Sequence, residues 1–121
     1  MAIYKKFEIP EELVKESLNI LENAAKTGEV RKGTNEVTKA VERKTASMIY
    51  IAEDVEPPEI VMHLPLLCEE NKIPYTFVPT KEDLGKAVGL SVGSASIAVI
   101  KAGEAQSTLE SLAQKIAELK K

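Results

Sequence analysis

The chain has no tryptophan, a single cysteine and a single histidine, and aromatic residues make up only 4% of its 121 positions. Aliphatic side chains must therefore fill the core, and an RNA-binding sheet that stacks several bases on exposed rings is disfavoured. One cysteine, Cys68, excludes an intramolecular disulfide, which suits a reducing cytoplasm. The apolar neighbours of Cys68 favour a small buried side chain over a reactive thiol.

Long apolar stretches and processing signals are also missing. No apolar run approaches the roughly 20 residues of a membrane helix, and no secretory signal is visible. The apolar content of 44% is nevertheless sufficient for a core, and the length fits one domain over residues 1–121. We expect a cytoplasmic protein that is a monomer when free and has no contact with membranes.

Helical and extended segments alternate along the chain. The apolar patterns predict helices that start near positions 10, 34, 60, 80 and 107, and strands around Val30 and over 47–52, 75–78 and 97–100. This alternation predicts an α/β fold, a three-layer α/β/α sandwich around a small sheet. The nearly continuous apolar run over 47–52 is typical of a central strand covered on both faces.

Local signals mark the helix ends. They are Pro10 at the first position of the first helix, Gly28 at its end, Thr34 as N-cap of the second, Pro65 as a break in or restart of the third, Thr80 with Asp83 as the start of the fourth, and Ser107 with Glu110 as a capping box in the last.

The most informative stretch is Arg31-Lys32-Gly33-Thr34-Asn35-Glu36-Val37-Thr38-Lys39, at a predicted helix start. Asn35 and Lys39 share one helical face at i and i+4, with Glu36 beside them. Together they present an amide, a carboxylate and an ammonium, a set that suits the edges of bases better than a phosphate alone. An ordinary solvated helix start is the alternative interpretation.

Positive charge is concentrated around this stretch. The chain carries a net charge of −3, yet residues 26–44 hold six cations and three acids, a net +3, so the remainder carries −6. A mildly acidic protein with one basic segment is typical of a protein with one docking face for an anionic partner.

Glu53, Asp54 and His63 support an alternative function, a small α/β enzyme. Paired carboxylates after a strand can bind Mg²⁺ or act as acid and base. No third ligand lies near Glu53 and Asp54 in sequence, which favours a structural turn before a helix. His63 lies among apolar residues, and this favours a packing role over a metal site.

A glycine-containing loop over 89–94 precedes the last predicted strand. It lacks the lysine and the following helix of a phosphate-binding loop. Leu90 and Val92 place apolar side chains in what should be an exposed turn, which is unusual for a plain connection.

These motifs resemble the kink-turn RNA-binding family, and within it the archaeal large-subunit ribosomal proteins. The matching segments follow one another in register over nearly the whole chain and imply a mixed four-stranded sheet. After the Arg31–Lys39 stretch they are Ile51-Ala52-Glu53-Asp54-Val55-Glu56-Pro57, His63-Leu64-Pro65-Leu66-Leu67-Cys68-Glu69-Glu70, Ile73-Pro74-Tyr75, Lys81-Glu82-Asp83-Leu84-Gly85-Lys86-Ala87 and Gly89-Leu90-Ser91-Val92-Gly93-Ser94-Ala95.

The resemblance implies one RNA-binding surface made by the helix start and the loop. The implied residues are Arg31, Lys32, Gly33, Thr34, Asn35, Glu36, Lys39, Arg43, Lys81, Leu90, Ser91 and Val92. The loop would pack apolar side chains against a base flipped out of the kink. Some family members carry arginine-proline where this chain has Val92-Gly93, so an arginine contact there is lost. Glu53 and Asp54 would lie next to this surface, which leaves a steering or shaping role open.

A kink-turn is an RNA duplex with a three-nucleotide bulge and tandem sheared G·A pairs. The resemblance implies a ribonucleoprotein component that is not an enzyme, uses no cofactor or metal, and stabilises this bend. The implied targets are large-subunit rRNA, box C/D and box H/ACA guide RNAs, and the RNA of RNase P, the tRNA-processing particle. In such particles the protein would nucleate assembly with core proteins.

Overall fold

The computed structural model describes residue 5 and residues 7–120, and the chain forms helices and strands in alternation. The helices are α1 (Glu11–Thr27), α2 (Thr34–Glu42), α3 (His63–Asn71), α4 (Lys81–Ala87) and α5 (Gln106–Leu119). The strands are β1 (Glu29–Lys32), β2 (Met48–Ala52), β3 (Tyr75–Val78) and β4 (Ser96–Lys101). Short 3-10 turns over Pro58–Ile60 and Gly103–Ala105 precede α3 and α5.

The four strands form one mixed sheet in the order β1-β4-β2-β3. β4 runs antiparallel to both β1 and β2, and Ala98 is the partner of Arg31 on one side and of Ile49 on the other. β2 and β3 are parallel, with Ile51 opposite Phe77. Every residue of β2 is buried, which confirms the prediction of a covered central strand.

Helices cover both faces of the sheet. α1 packs against α4 and α5, whereas α2 packs against α3. The core between these layers is mainly aliphatic, and Tyr50, Tyr75 and Phe77 are fully buried in it. The predicted three-layer sandwich is therefore confirmed, and the aromatic rings of its strands are used for packing.

Two predicted helix starts are wrong in detail. Pro10 precedes α1 as its N-cap residue and does not occupy the first helical position. Thr34 is the first residue of α2, and Gly33 takes the N-cap position. Of the two outcomes predicted at Pro65, the structure shows a restart and not a break, because α3 begins at His63 after a 3-10 turn and Pro65 is its third residue. The first N–H groups of a helix lack an intrahelical acceptor, so proline removes no helical hydrogen bond there.

The two predicted caps of the last helices have opposite outcomes. The start of α4 is confirmed, since Thr80 Oγ1 accepts from the Asp83 N–H at 3.1 Å. The capping box of Ser107 and Glu110 is wrong, because the preceding 3-10 turn runs directly into α5 at Gln106. Glu110 instead accepts from the Gln106 side chain at 3.0 Å.

Candidate nucleic-acid interface

The segments predicted to bind RNA lie at one edge of the sheet. β1, β2 and β3 end at this edge and β4 begins there, because β4 is antiparallel to β1 and β2 while β3 is parallel to β2. α2 follows β1 after one residue, and α4 follows β3 after two. The starts of α2 (Thr34) and α4 (Lys81), which are far apart in sequence, therefore lie at one edge.

The start of α2 is shaped by Gly33. Its φ of 92° lies in the region that glycine adopts without strain, and a Cβ there would find no atom of the described structure within 4 Å. The Gly33 carbonyl accepts the first helical bond, from the Val37 N–H at 2.9 Å. Thr34 turns inward, with its Oγ1 3.2 Å from Ser96 Oγ. The backbone of this first turn is therefore open to a ligand.

The polar face of α2 has the predicted composition. Asn35, Glu36 and Lys39 are all exposed, and Lys39 Nζ lies 3.4 Å from a Glu36 carboxylate oxygen. Val37 and Val41 are buried on the opposite face. An amide, a carboxylate and an ammonium thus stand on one solvent-facing side, where an incoming base edge can exchange bonds with all three.

A groove of about 550 Å³ runs between α2 and the start of α3. Its α2 side includes Asn35 and Lys39, and its far side is formed by Ile60 and His63. Ile60 is an exposed large apolar residue. His63 is exposed rather than packed as predicted, and its Nε2 lies 2.9 Å from Thr38 Oγ1. Sequence reasoning missed Thr38 and Ile60, and the exposure of an isoleucine is the signal that only the structure provides.

A second, smaller depression of about 200 Å³ lies on the other side of α2. Arg31, Glu36, Lys39 and Arg43 are among its lining residues. Arg31 also forms an ion pair with Glu29 on the same strand. Three of the predicted cations thus line the same depression as Glu36.

The remaining predicted cations lie close to the same edge. Lys32 ends β1 and is exposed immediately before Gly33. Lys81 is exposed at the first position of α4, at the edge where β3 ends.

The loop over residues 88–95, called here the 88–95 loop, presents one apolar side chain to solvent. Val92 is 68% exposed, and Ser91 beside it is exposed as well. Leu90 does not match the expectation of an exposed side chain, because it is half-buried and packs against the core. The Leu90 N–H also donates to the Gly85 carbonyl at 2.9 Å, which draws this residue onto α4.

The alternative catalytic residues have other contacts. Asp54 accepts from the Lys81 N–H at 2.8 Å and so caps α4, while Glu53 pairs with Lys5 at 3.0 Å. The predicted structural turn is confirmed. Within the ranges described, no three His, Cys, Asp or Glu residues are grouped so that they could hold a metal ion.

Cys68 is fully buried with a free thiol. Burial raises the pKa of this thiol to about 12. The interpretation of Cys68 as a small buried side chain is confirmed. Among the residues that the structure describes, no helix has the length and apolar character required to cross a bilayer.

Comparison with known proteins identifies one family. The model of the ribosomal protein L7Ae/L30e/S12e/Gadd45 family matches residues 15–109. Among solved structures, the chain is similar to the Giardia lamblia 15.5kD RNA binding protein, with 32% identity and a TM-score of 0.91. That match covers 98% of this chain and 99% of the other. The architecture described above is thus shared over nearly the full length of both chains.

Proposed function

Because the chain belongs to the ribosomal protein L7Ae/L30e/S12e/Gadd45 family, we propose that it binds RNA and that it recognises the kink-turn. The observation that carries the proposal is the start of α2, over residues 34–39. There the exposed Asn35, Glu36 and Lys39 follow a glycine whose backbone is open to an incoming ligand.

The side chains on the polar face of α2 would recognise the bases. A sheared G·A pair leaves part of each guanine edge unpaired, and the Glu36 carboxylate can accept from guanine N–H groups. Asn35 and Lys39 can donate to guanine O6 and N7. The free N–H groups and positive dipole end of α2 would favour a nearby phosphate.

The cations around this face would contact the phosphate backbone of the RNA. Arg31 and Lys32 precede α2, Arg43 follows it, and Lys81 supplies a charge from α4. Contacts of this kind hold the RNA in register without reading its sequence. Val92 would pack against a base flipped out of the kink, in a position where it already stands free of the core. Thr34 and Leu90 would act as supports, since both side chains turn inward.

The resulting mechanism is selective binding of the bent RNA conformation. A protein that contacts both the sheared pairs and the flipped base binds only the bent RNA, so it shifts the population toward the bend. It carries out no chemistry and needs no cofactor. The chain also resembles archaeal large-subunit ribosomal proteins over nearly its whole length. We propose as targets large-subunit rRNA, box C/D and box H/ACA guide RNAs and RNase P RNA.

The direct test compares two RNAs in a gel shift with the purified protein. One RNA contains a kink-turn, and the other is identical except that Watson–Crick pairs replace the tandem G·A pairs. The proposal expects a large preference for the kink-turn at one salt concentration. Equal affinities for the two RNAs would show that the surface is a general cationic patch without preference for the kink-turn.

A further inference from the structure

A continuous line of hydrogen bonds crosses the edge of the sheet beneath the proposed RNA surface. Asp54 Oδ1 accepts from the Lys81 N–H at 2.8 Å, and the Lys81 carbonyl accepts from the Ser94 N–H at 2.9 Å. Ser94 Oγ donates to the Ser96 carbonyl at 3.0 Å. That carbonyl also accepts from the Gly33 N–H at 3.3 Å. The line thus joins the turn after β2, the start of α4, the 88–95 loop and the N-cap of α2.

The 88–95 loop also lies directly on α4. A Cβ at Gly85 would stand 2.0 Å from the Val92 carbonyl oxygen, and a Cβ at Gly93 would stand 2.9 Å from Lys81 Cγ. A side chain at Gly85 would clash with the backbone of the loop, and one at Gly93 would require Lys81 to shift. The position of the loop tip therefore depends on the position of α4.

We infer that Asp54 is a positioning residue for RNA recognition, acting through the backbone of Lys81 on the tip of the 88–95 loop. The inference rests on the proposed function. α4 has only seven residues, so helical propensity alone cannot hold it and its orientation depends on contacts at its ends. Asp54 supplies one of those contacts from the neighbouring turn. When the loop tip is held in place before binding, less ordering has to occur on binding, and affinity is higher.

The negative charge of Asp54 allows a positioning role to be distinguished from a simple electrostatic effect, because the two predict opposite changes in affinity. Asp54 is an exposed acid next to Lys81, so its removal should strengthen RNA binding if only charge mattered. The positioning role predicts the opposite. Asp54→Ala should weaken kink-turn binding roughly tenfold, as expected for one lost hydrogen bond to a charged acceptor. Binding to the Watson–Crick control RNA should stay the same or rise.

Two further substitutions define the cause. Asp54→Asn keeps an acceptor oxygen for the Lys81 N–H while removing the charge, so it should restore most of the affinity. Asp83→Ala is the matched control, because it removes another exposed acid from the first turn of the same helix. Only the Asp83 backbone N–H is engaged by Thr80, and that bond remains. This control should bind the kink-turn at least as tightly as wild type.

A double-mutant cycle tests whether Asp54 acts through the tip of the 88–95 loop. If Asp54 acts through the loop tip, Asp54→Ala should lose most of its effect on affinity in a Val92→Ser background. A purely structural role would lower the unfolding temperature and leave the two affinity effects additive. Affinities are measured well below the unfolding midpoint of every variant, so that all molecules are folded. Additive effects would overturn the inference.

Amide hydrogen exchange of the free protein tests the positioning without RNA. Asp54→Ala should speed exchange of the Ser94 N–H several-fold and leave Leu112 in α5 unchanged. Unchanged exchange at Ser94 would overturn the inference whatever the RNA results are. Faster exchange together with undiminished kink-turn affinity would overturn it while the proposed function stands. A wild-type protein without preference for the kink-turn would instead remove the proposed function.

Discussion

Glu36 is an acid within a basic segment, exposed on α2 with Lys39 Nζ at 3.4 Å. If RNA binding were charge attraction alone, Glu36→Ala should strengthen it. If Glu36 accepts from guanine, the same change should weaken kink-turn binding by about 2–4 kcal/mol, because guanine donors stay unpaired in a desolvated site. Binding to plain duplex RNA should stay the same or rise slightly. Titrations of both RNAs at one salt concentration measure the difference.

Lys32→Ala is the comparison for this prediction. Lys32 is exposed at the end of β1 and is assigned to the phosphate backbone. Its removal should lower the affinity for both RNAs by a similar small amount. A Glu36→Ala protein that binds the kink-turn as tightly as wild type would show that α2 is only a basic surface.

Cys68 gives a prediction about pH. Burial raises the pKa of its thiol to about 12, whereas a thiol in the unfolded chain loses its proton near pH 8.5. Between these values the unfolded state binds fewer protons, so the free energy of unfolding falls as pH rises, by up to about 1.4 kcal/mol per pH unit. Urea unfolding at pH 8 and pH 9.5 should show this fall.

The same experiment on Cys68→Ala should show a smaller decline, although this variant is less stable at both pH values because of the cavity. Parallel pH profiles for the two proteins would contradict the assignment. A thiol reagent at pH 8 should also react with native Cys68 far more slowly than with the urea-unfolded chain.

At the scale of elements, the 88–95 loop separates two apolar residues that look equivalent in sequence. Val92 is exposed, whereas Leu90 packs against the core. Val92→Asp should therefore weaken kink-turn binding with little change in the free energy of unfolding. Leu90→Asp should destabilise the fold by about 1–3 kcal/mol, because it places a charge among apolar neighbours.

Added negative charge could weaken RNA binding by itself, so Val92→Ser is the matched variant without charge. Most of the loss should remain in Val92→Ser if apolar packing is the cause. Affinity equal to wild type in both Val92 variants would remove the loop from the site. Chemical denaturation of each variant gives the stability comparison.

At the scale of the whole molecule, charge is segregated between neighbouring segments. Residues 26–44 carry a net +3, whereas residues 45–71 hold six carboxylates and neither lysine nor arginine. α2 and α3 pack against each other, so the basic segment lies beside the acidic one. Such a field orients an incoming polyanion toward the basic segment.

The number of cations near phosphates then sets the salt dependence. With four or five such contacts, log K against log salt should have a slope of roughly −3 to −5. Lys32→Ala should reduce its magnitude by about one. Titrations between low and moderate salt measure the slope, and a value near zero is incompatible with a cationic docking face.

Much of the fold follows from local pattern. The order of the elements, the covered strand over 47–52 and the end of α1 at Gly28 are all confirmed. These features depend on periodicity and on the backbone preference of single residues, which neighbours in sequence determine. The polar face of α2 is also a local property, since residues at i and i+4 of a helix share a side wherever the helix lies.

Other features depend on contacts between distant segments. Leu90 is drawn inward by Gly85, Ile60 and His63 face α2 across a groove, and Asp54 caps a helix that begins at Lys81. Thr34 turns toward Ser96, 62 residues away, and leaves the N-cap position to Gly33. Local sequence is enough to identify the residues of the helix start and of the loop. Which of their side chains face solvent depends on the folded molecule, because burial and hydrogen bonding there involve partners that sequence spacing does not reveal.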